Sequence, residues 1–572
     1  MTTQSAVPAH SGSVTNPATP APDGLSTDGH ELRPDAAALD RWVEQLLTDA
    51  PAPVDMALAA RFLAGAAPVG PLLLYGASSF TVTLLEELRS FPQTAGRIIG
   101  VVDRNAKSQP FFEGLSTLTP EEAVGQEATV IIAHPRHGGE MRAVLLDLGM
   151  PTARVLSLLH DPAYAAMALD ELRRSLLGDP PPCDVLVFVD TNFSILEDEA
   201  LVRALPTGSA VLGVHFAPWQ PYRPEAGLYT APSFPVLDLR GSLPLLLDLL
   251  ARAQPRLIYL RSHFPIYPLA RLLRIHAPRS RIVHEVYDFI AWQPENVVTA
   301  FNEVTPEQLA LCRLAEAQTL LDSDMIVSKR GGARWRRWLT RVADSRAAER
   351  CVMAFQHAGC VPPPAPPPPR PGPLRLLYAA LLPQPRHAAL VPGDYDLAGM
   401  FAHLTETGPI RIDVFNSVHE GPGQDPRFAA YQERWSAGPV RYFRRLSAAE
   451  LRRRMPDYDF GWMFSEPSEI TVPDKAVCLS ARFVGFIAGG LPVVIDDSFE
   501  LMAGLVRDFQ AGVVVPQGDL EALRAAMTAT DMALLHAGVR RLWRHMGACN
   551  ADALARIGRL LSADDMAGTV GA

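Results

Sequence analysis

The stretch from Thr471 to Asp497, TVPDKAVCLSARFVGFIAGGLPVVIDD, constrains this chain more than any other. Pro473 forbids a helix upstream of it and suits a helix start, because it has no amide proton to donate. From Ala476 to Ala488 apolar residues are dense enough for a buried helix. Gly489 and Gly490 end it, since glycine takes up a left-handed cap at little steric cost. Pro492 then opens Val493-Val494-Ile495, the β-branched run of a central parallel strand. Lys475 and Arg482 are the only cations in the stretch. If one helix holds both, their spacing of seven puts them on a shared face. Two cations on a largely buried helix need a target. A phosphate fits, because its oxygens pair with Lys and Arg and the helix start adds partial positive charge.

The rest of the chain repeats this strand–helix alternation. Strands are expected at Asp184 to Asp190, Ala210 to Phe216, Leu257 to Arg261, Arg281 to Val286 and Met325 to Ser328. A second series follows at Leu374 to Ala380, Ile410 to Phe415, Val440 to Phe443, Phe460 to Phe464, Val493 to Asp496 and Gly512 to Val515. Helical segments between them imply parallel sheets covered on both faces. A smaller unit comes first. In it, Pro71 to Tyr75 is a buried strand, Gly76 to Ser79 a turn, Thr81 to Ser90 a helix, and Ile98 to Asp103 a second strand ending in an acid. That order is the order of a dinucleotide site, with Gly76 in the turn and Asp103 placed to hold a ribose hydroxyl. Only one of the three usual glycines of that fingerprint is present. His134 and His137, at a third strand's end, lack metal-ligand spacing and read as polar loop residues. The Pro-rich runs at 178–182 and 361–373 are stiff spacers. The expected division is a disordered tail at 1–34, a Rossmann-like domain at 35–178, a second at 183–360, the linker at 361–373 and a third at 374–562.

Net charge is −10 over 572 residues, which argues against general nucleic-acid binding. The six cysteines form no C-x-x-C pair and suggest neither a zinc site nor a disulfide framework. A reducing cytoplasm fits, and no signal peptide is visible. The longest apolar run, Phe483 to Ile495, is 13 residues, against the ~20 needed to span a bilayer.

Ser480-Ala481-Arg482, the apolar run Phe483 to Ala488, and Gly490-Leu491-Pro492-Val493-Val494 resemble the donor-site element of bacterial GT-B glycosyltransferases of the group 1 (glycosyltransferase 4-like) family. Arg482 stands where that family often has Lys. Gly485 stands where it has the second of two Glu residues, and the first is not at its usual spacing. The 35–178 unit resembles small Rossmann-like domains attached to sugar-nucleotide enzymes. The resemblance implies an α/β chain of two facing Rossmann-like domains (GT-B), preceded by the smaller one. It implies a metal-independent, hexosyltransferase-like enzyme that moves a sugar from a nucleotide-sugar donor to a hydroxyl on a glycan or lipid-linked acceptor, as in polysaccharide or glycoconjugate synthesis. The nucleotide sugar would be substrate, with no cofactor. A sugar-nucleotide epimerase of the same fold, or a non-catalytic sugar-nucleotide-binding scaffold, are the rival readings.

Within that frame the donor would meet Arg482, Lys475, Glu466, Gly490 and Pro492, with preorganised cations stabilising the departing diphosphate. Glu469 is a second acid in the same loop. On the acceptor side, Asp288 or Glu285 would act as base, with His284 as alternative. His215 and His263 end two other strands of the acceptor-side sheet and would line the same cleft. Asp322-Ser323-Asp324, Asp394-Tyr395-Asp396 and Asp457-Tyr458-Asp459 look structural, so no catalytic metal is expected. The cationic segment 329–350, with Trp335 and Trp338 interleaved, could rest on anionic lipid or pack its tryptophans on the sheet. Peripheral membrane contact of a cytoplasmic protein follows from the first alternative.

Overall fold

The computed structural model describes residues 36–48, 52–66, 69–135, 137–178, 182–189, 194–216, 232–261, 269–287, 295, 298, 306–356, 361–368, 370–380, 382, 397–418, 427–464 and 472–568. The expected tail at 1–34 lies outside them, as does Asp394-Tyr395-Asp396.

Three sheets follow one another along the chain. The first holds β1 (Leu72–Tyr75), β2 (Ile98–Val102), β3 (Phe111–Phe112), β4 (Leu115–Leu118), β5 (Thr129–Ile132) and β6 (Val155–Ser157). Their order is β3-β4-β2-β1-β5-β6, parallel except for the β3–β4 pair. The second holds β7 (Val185–Phe188), β8 (Val211–His215), β9 (Val236–Asp238), β10 (Leu257–Arg261), β11 (Arg281–Val286), β12 (Met325–Ser328) and β13 (Cys351–Met353). The third holds β14 (Leu374–Ala380), β15 (Ile410–Asn416), β16 (Val440–Phe443), β17 (Phe460–Trp462), β18 (Val493–Asp496) and β19 (Gly512–Val515). Their orders, β13-β12-β11-β10-β7-β8-β9 and β16-β15-β14-β17-β18-β19, are the same doubly wound pattern. Each sheet reverses direction beside its first strand, and the crevice for a ligand opens there, at the strands' C-terminal ends. The α/β class and the three Rossmann-like units are as the sequence implied; β9, β13 and the β3–β4 hairpin are short additions that the apolar pattern did not reveal.

The strands of the second and third sheets are buried along most of their length, as β-branched runs covered on both faces should be. Two elements tie the units together. The helix Ala36–Thr48, expected with the first unit, packs instead on helices of the second. Leu39 meets Ala315, Trp42 packs against Val298, Leu309 and Cys312, and Arg271 Nε donates to Asp40 at 2.7 Å. The helix Met532–Gly568 runs across both later units. Its Val539, Leu542, Trp543 and Met546 join the core of the third sheet, and its Ala553, Ile557 and Leu561 join that of the second. Between these groups Asn550 caps the backbone of Phe355 in both directions, accepting from its N–H and donating to its C=O, each at 2.7 Å.

Asn550→Ala leaves two buried backbone groups of Phe355 without these partners. Urea unfolding followed by tryptophan fluorescence should show a loss of roughly 2–4 kcal/mol.

Candidate functional site: the seam between two sheet edges

In a parallel sheet, strand C-termini and the N-termini of the following helices share one edge. Residues 329–331 leave the C-terminal end of β12. Residues 477–479 lead into the helix Ala481–Ala488 at the corresponding edge of the third sheet. These segments pair: Leu479 N donates to Lys329 O at 2.8 Å and Gly331 N donates to Val477 O at 3.0 Å, with an antiparallel bridge between Arg330 and Cys478. Arg334 Nη1 meets Glu500 Oε1 at 3.0 Å beside them. The ligand edges of the two sheets therefore adjoin.

On the third sheet, Ser480 caps the helix, its Oγ accepting from Arg482 N at 3.2 Å. Arg482 starts from this helix on one face of the sheet. Its guanidinium centre lies 5.3 Å from the ring centroid of Tyr378, which belongs to the core on the opposite face. The side chain thus crosses the sheet edge where β14 and β17 diverge. Burial raises the Tyr378 pKa, and the Arg482 charge and hydrogen bond offset only part of that rise, so the phenol stays protonated. The expectation of one helix over Ala476 to Ala488 is corrected. Helices Val472–Val477 and Ala481–Ala488 are separated by three residues, because Cys478 is drawn into the inter-sheet bridge and Ser480 starts a new helix. Lys475 is therefore not on the helix that carries Arg482; its Nζ lies 5.1 Å from the Phe499 ring centroid. Gly490 and Pro492 lie beyond the other end of the Arg482 helix. Eight residues at ~1.5 Å rise put them about 12 Å away, at the edge opposite the crevice. There Gly490 (φ +78) accepts from His536 Nδ1 at 3.0 Å, and Pro364 of the linker lies over it. Their place at the donor is corrected to shaping a turn. Glu466 and Glu469 lie outside the described residues.

On the second sheet, Glu285 is fully buried. Its carboxylate accepts from Ile195 N (2.8 Å), Leu196 N (3.2 Å) and the Tyr259 hydroxyl (2.5 Å), and Arg261 Nε stands 3.7 Å away. Arg261 also pairs with Asp198. Burial opposes the Arg261 charge, but Asp198 and Glu285 outweigh it and its pKa rises. Burial, then the Glu285 charge, pushes Tyr259 well above the ordinary phenol range. Four groups thus close on one another and pin the loop at 195–196, so Glu285 serves this network in place of the proton-accepting role expected of it. His284 points to the other face and is also fully buried. Among the described residues neither ring nitrogen has a hydrogen-bond partner, and burial pushes its pKa down to about 3. A neutral ring in an apolar layer does not reach a substrate, which corrects its role as alternative base. His215 is buried at the end of β8, its Nδ1 3.2 Å from Asp238 Oδ1. Burial raises the Asp238 pKa, but His215 and Arg240 more than reverse it. Asp288 and His263 lie outside the described residues.

In the first unit Gly76 takes φ +101, a conformation natural to glycine. Asp103 Oδ2 accepts from Ala77 N at 2.9 Å and its Oδ1 from Asn105 N at 2.8 Å. The acid expected to hold a ribose therefore fastens the turn itself. Asp324 is engaged by Arg274, Arg281 and Ile282 N, and Asp459 by Arg375 N, in structural roles. Among the described residues no group of three or more His, Cys, Asp or Glu is placed to hold a metal ion. No helix among them is long and apolar enough to cross a membrane.

The first three residues of the cationic segment 329–350 precede its helix. The helix begins at Gly332, whose φ of +85 turns the chain. Lys329 and Arg330 stand before it, 9% and 1% exposed. The Gly331-Gly332 pair was the available signal. Trp335 and Trp338 are buried and stacked at 5.2 Å, against Ala476 and Val477. Of the two alternatives for this segment, the tryptophans take the second: they pack inward, beside the seam between the two sheets.

No family model and no curated protein matches the chain. Among solved structures, HepE of Anabaena in complex with UDP has 12% identity and a TM-score of 0.43, over 67% of this chain and 100% of its own. An O-GlcNAc transferase mutant of Thermobaculum terrenum has 15% identity and a TM-score of 0.39, over 93% and 95%. The lipopolysaccharide outer core galactosyltransferase WaaB, in its apo form, has 12% identity and a TM-score of 0.40, over 65% and 98%.

Two expectations follow. Glu285→Gln breaks a buried charge pair while Asp198 still faces Arg261, so urea unfolding should show a loss near the lower end of the range for such pairs, about 3 kcal/mol. His284 binds a proton more weakly in the folded chain than at its ordinary value of 6.5. Its contribution is therefore complete above pH 6.5 and is lost as pH falls towards about 3. Across that window His284→Phe should remove a slope approaching 1.4 kcal/mol per pH unit from the unfolding free energy, measured against the parent chain.

Proposed function

We propose that the chain is a GT-B glycosyltransferase, moving a sugar from a nucleoside-diphosphate donor to a hydroxyl acceptor. The observation that carries this reading is the pairing of 329–331 with 477–479, which brings the ligand edges of two doubly wound sheets together beside a capped helix and Arg482. A departing diphosphate gathers negative charge, and fixed cations and helix amides aimed at it lower the barrier. Arg482 is the donor-side cation, with Lys475 on the adjoining helix. Asp288, the residue after Tyr287, takes the role of general base. Glu466, by its place after β17, serves the sugar or ribose, and His263 belongs with the acceptor. The hexosyl subtype and metal-independent chemistry belong to this reading. So do a glycan or lipid-linked acceptor, a cytoplasmic location and an adsorbing membrane surface at Arg336, Arg337 and Arg341, which are exposed.

The test is a thermal-shift and calorimetric screen of nucleoside diphosphates and their sugars. A ligand present at 100 times its Kd should stabilise the protein by about 2.7 kcal/mol. Arg482→Ala should weaken its binding by roughly tenfold or more, as loss of a charged hydrogen bond does. Undiminished binding in that variant would remove Arg482 from the donor site. An acceptor-free isomerised product would instead identify an epimerase.

A further inference from the structure

We propose that Arg330, supported by Lys329, is a positioning residue that fixes the end of β11 and links it to the chain entering the Arg482 helix. The link to donor binding rests on the function proposed above; the clamp itself does not.

The clamp is built on Tyr287, which follows β11. Arg330 Nη1 donates to Tyr287 O at 3.1 Å. Lys329 Nζ lies 3.5 Å from the centre of the Tyr287 ring, well inside cation–π range. The Tyr287 hydroxyl donates to Gln356 Oε1 at 3.3 Å. Gln356 in turn follows Phe355, the residue held by Asn550. Arg330 is itself set by Ser328, whose Oγ accepts from Arg330 N at 3.0 Å.

An apolar side chain would fill this space without the desolvation penalty that a buried guanidinium carries. What the guanidinium adds is a rigid, permanently charged donor on a strand-end carbonyl. The main chain on either side of Arg330 carries the two hydrogen bonds to Val477 and Leu479. One residue therefore joins the Tyr287 carbonyl to the segment that ends at Ser480. An anion seated at residues 480–482 would draw on that segment, and the displacement reaches the end of β11 through Arg330.

Hydrogen exchange on the full chain tests this, with Arg330→Met, Arg330→Lys and, should Arg330→Met fail to fold, Lys329→Gln. Without ligand, Arg330→Met should speed exchange of amides at 284–287 by roughly tenfold or more, leaving 374–380 unchanged. Arg330→Lys, which keeps a charged donor, should restore most of the protection. Unchanged exchange at 284–287, or equal effects of Met and Lys, would overturn the clamp. UDP, GDP, dTDP and ADP are then added singly. The nucleotide that protects 480–484 should also protect 284–287 in the parent chain, and only 480–484 in Arg330→Met. Protection that persists at 284–287 in the variant overturns the link while the clamp stands. Protection of neither segment by any of the four removes the nucleotide-donor function and the link with it, and the ligand-free result still decides the clamp.

Discussion

Two backbone hydrogen bonds, from Gly331 to Val477 and from Leu479 to Lys329, set the arrangement of the rest. Apolar contact alone would let two sheet edges slide, because burial has no preferred register. Main-chain groups removed from water must be paired, and pairing is directional. Trp335 and Trp338 supply the burial next to this bridge, and the bridge fixes which residues face one another. The same two bonds end the helix Val472–Val477 early and leave Ser480 free to start the next. Arg482 owes its position at the β14–β17 divergence to that restart.

The charged groups along these edges fall into two kinds. Glu285, Arg261 and Arg330 are buried and used to hold loops and strand ends, with the half-buried Asp198 as a counter-charge to Arg261. Each satisfies backbone groups or a counter-charge that would otherwise be stranded in a low-dielectric layer. Arg482 is half-buried and leans on an aromatic ring, an arrangement that orients a guanidinium while leaving donor capacity for an anion. The difference is one of accessibility rather than of residue type.

Much of this was legible in the chain. Runs such as Val493-Val494-Ile495 and Leu374 to Ala380 announce parallel strands because both faces are covered. The alternation with helices gives the sheet class, and Arg482 stood out as a cation in an apolar helix. What could not be read was long-range pairing. Cys478 is apolar enough to continue a helix, and only Arg330, far away in sequence, draws it into a bridge. Glu285 and Asp288 look alike as strand-end acids. The amides of Ile195 and Leu196, brought alongside by the crossover from β7, are what hold Glu285 in its network. Asp103 had the right place for a ribose, yet its carboxylate is taken up by the amides of Ala77, in the glycine turn, and Asn105. Gly490 and Pro492 belong to the recognisable motif, but helix length carries them to the far edge.

The helix Met532–Gly568 leaves the third sheet's core near Met546 and enters the second's near Ala553. With the linker at 361–373, the covalent chain passes between these two bodies at two places. A solid joined to another at two points turns about the line through them and resists other displacements. Asn550 sits at one of those points, and the pairing of 329–331 with 477–479 is a third tie that opposes such turning, so the two bodies are held in one mutual orientation.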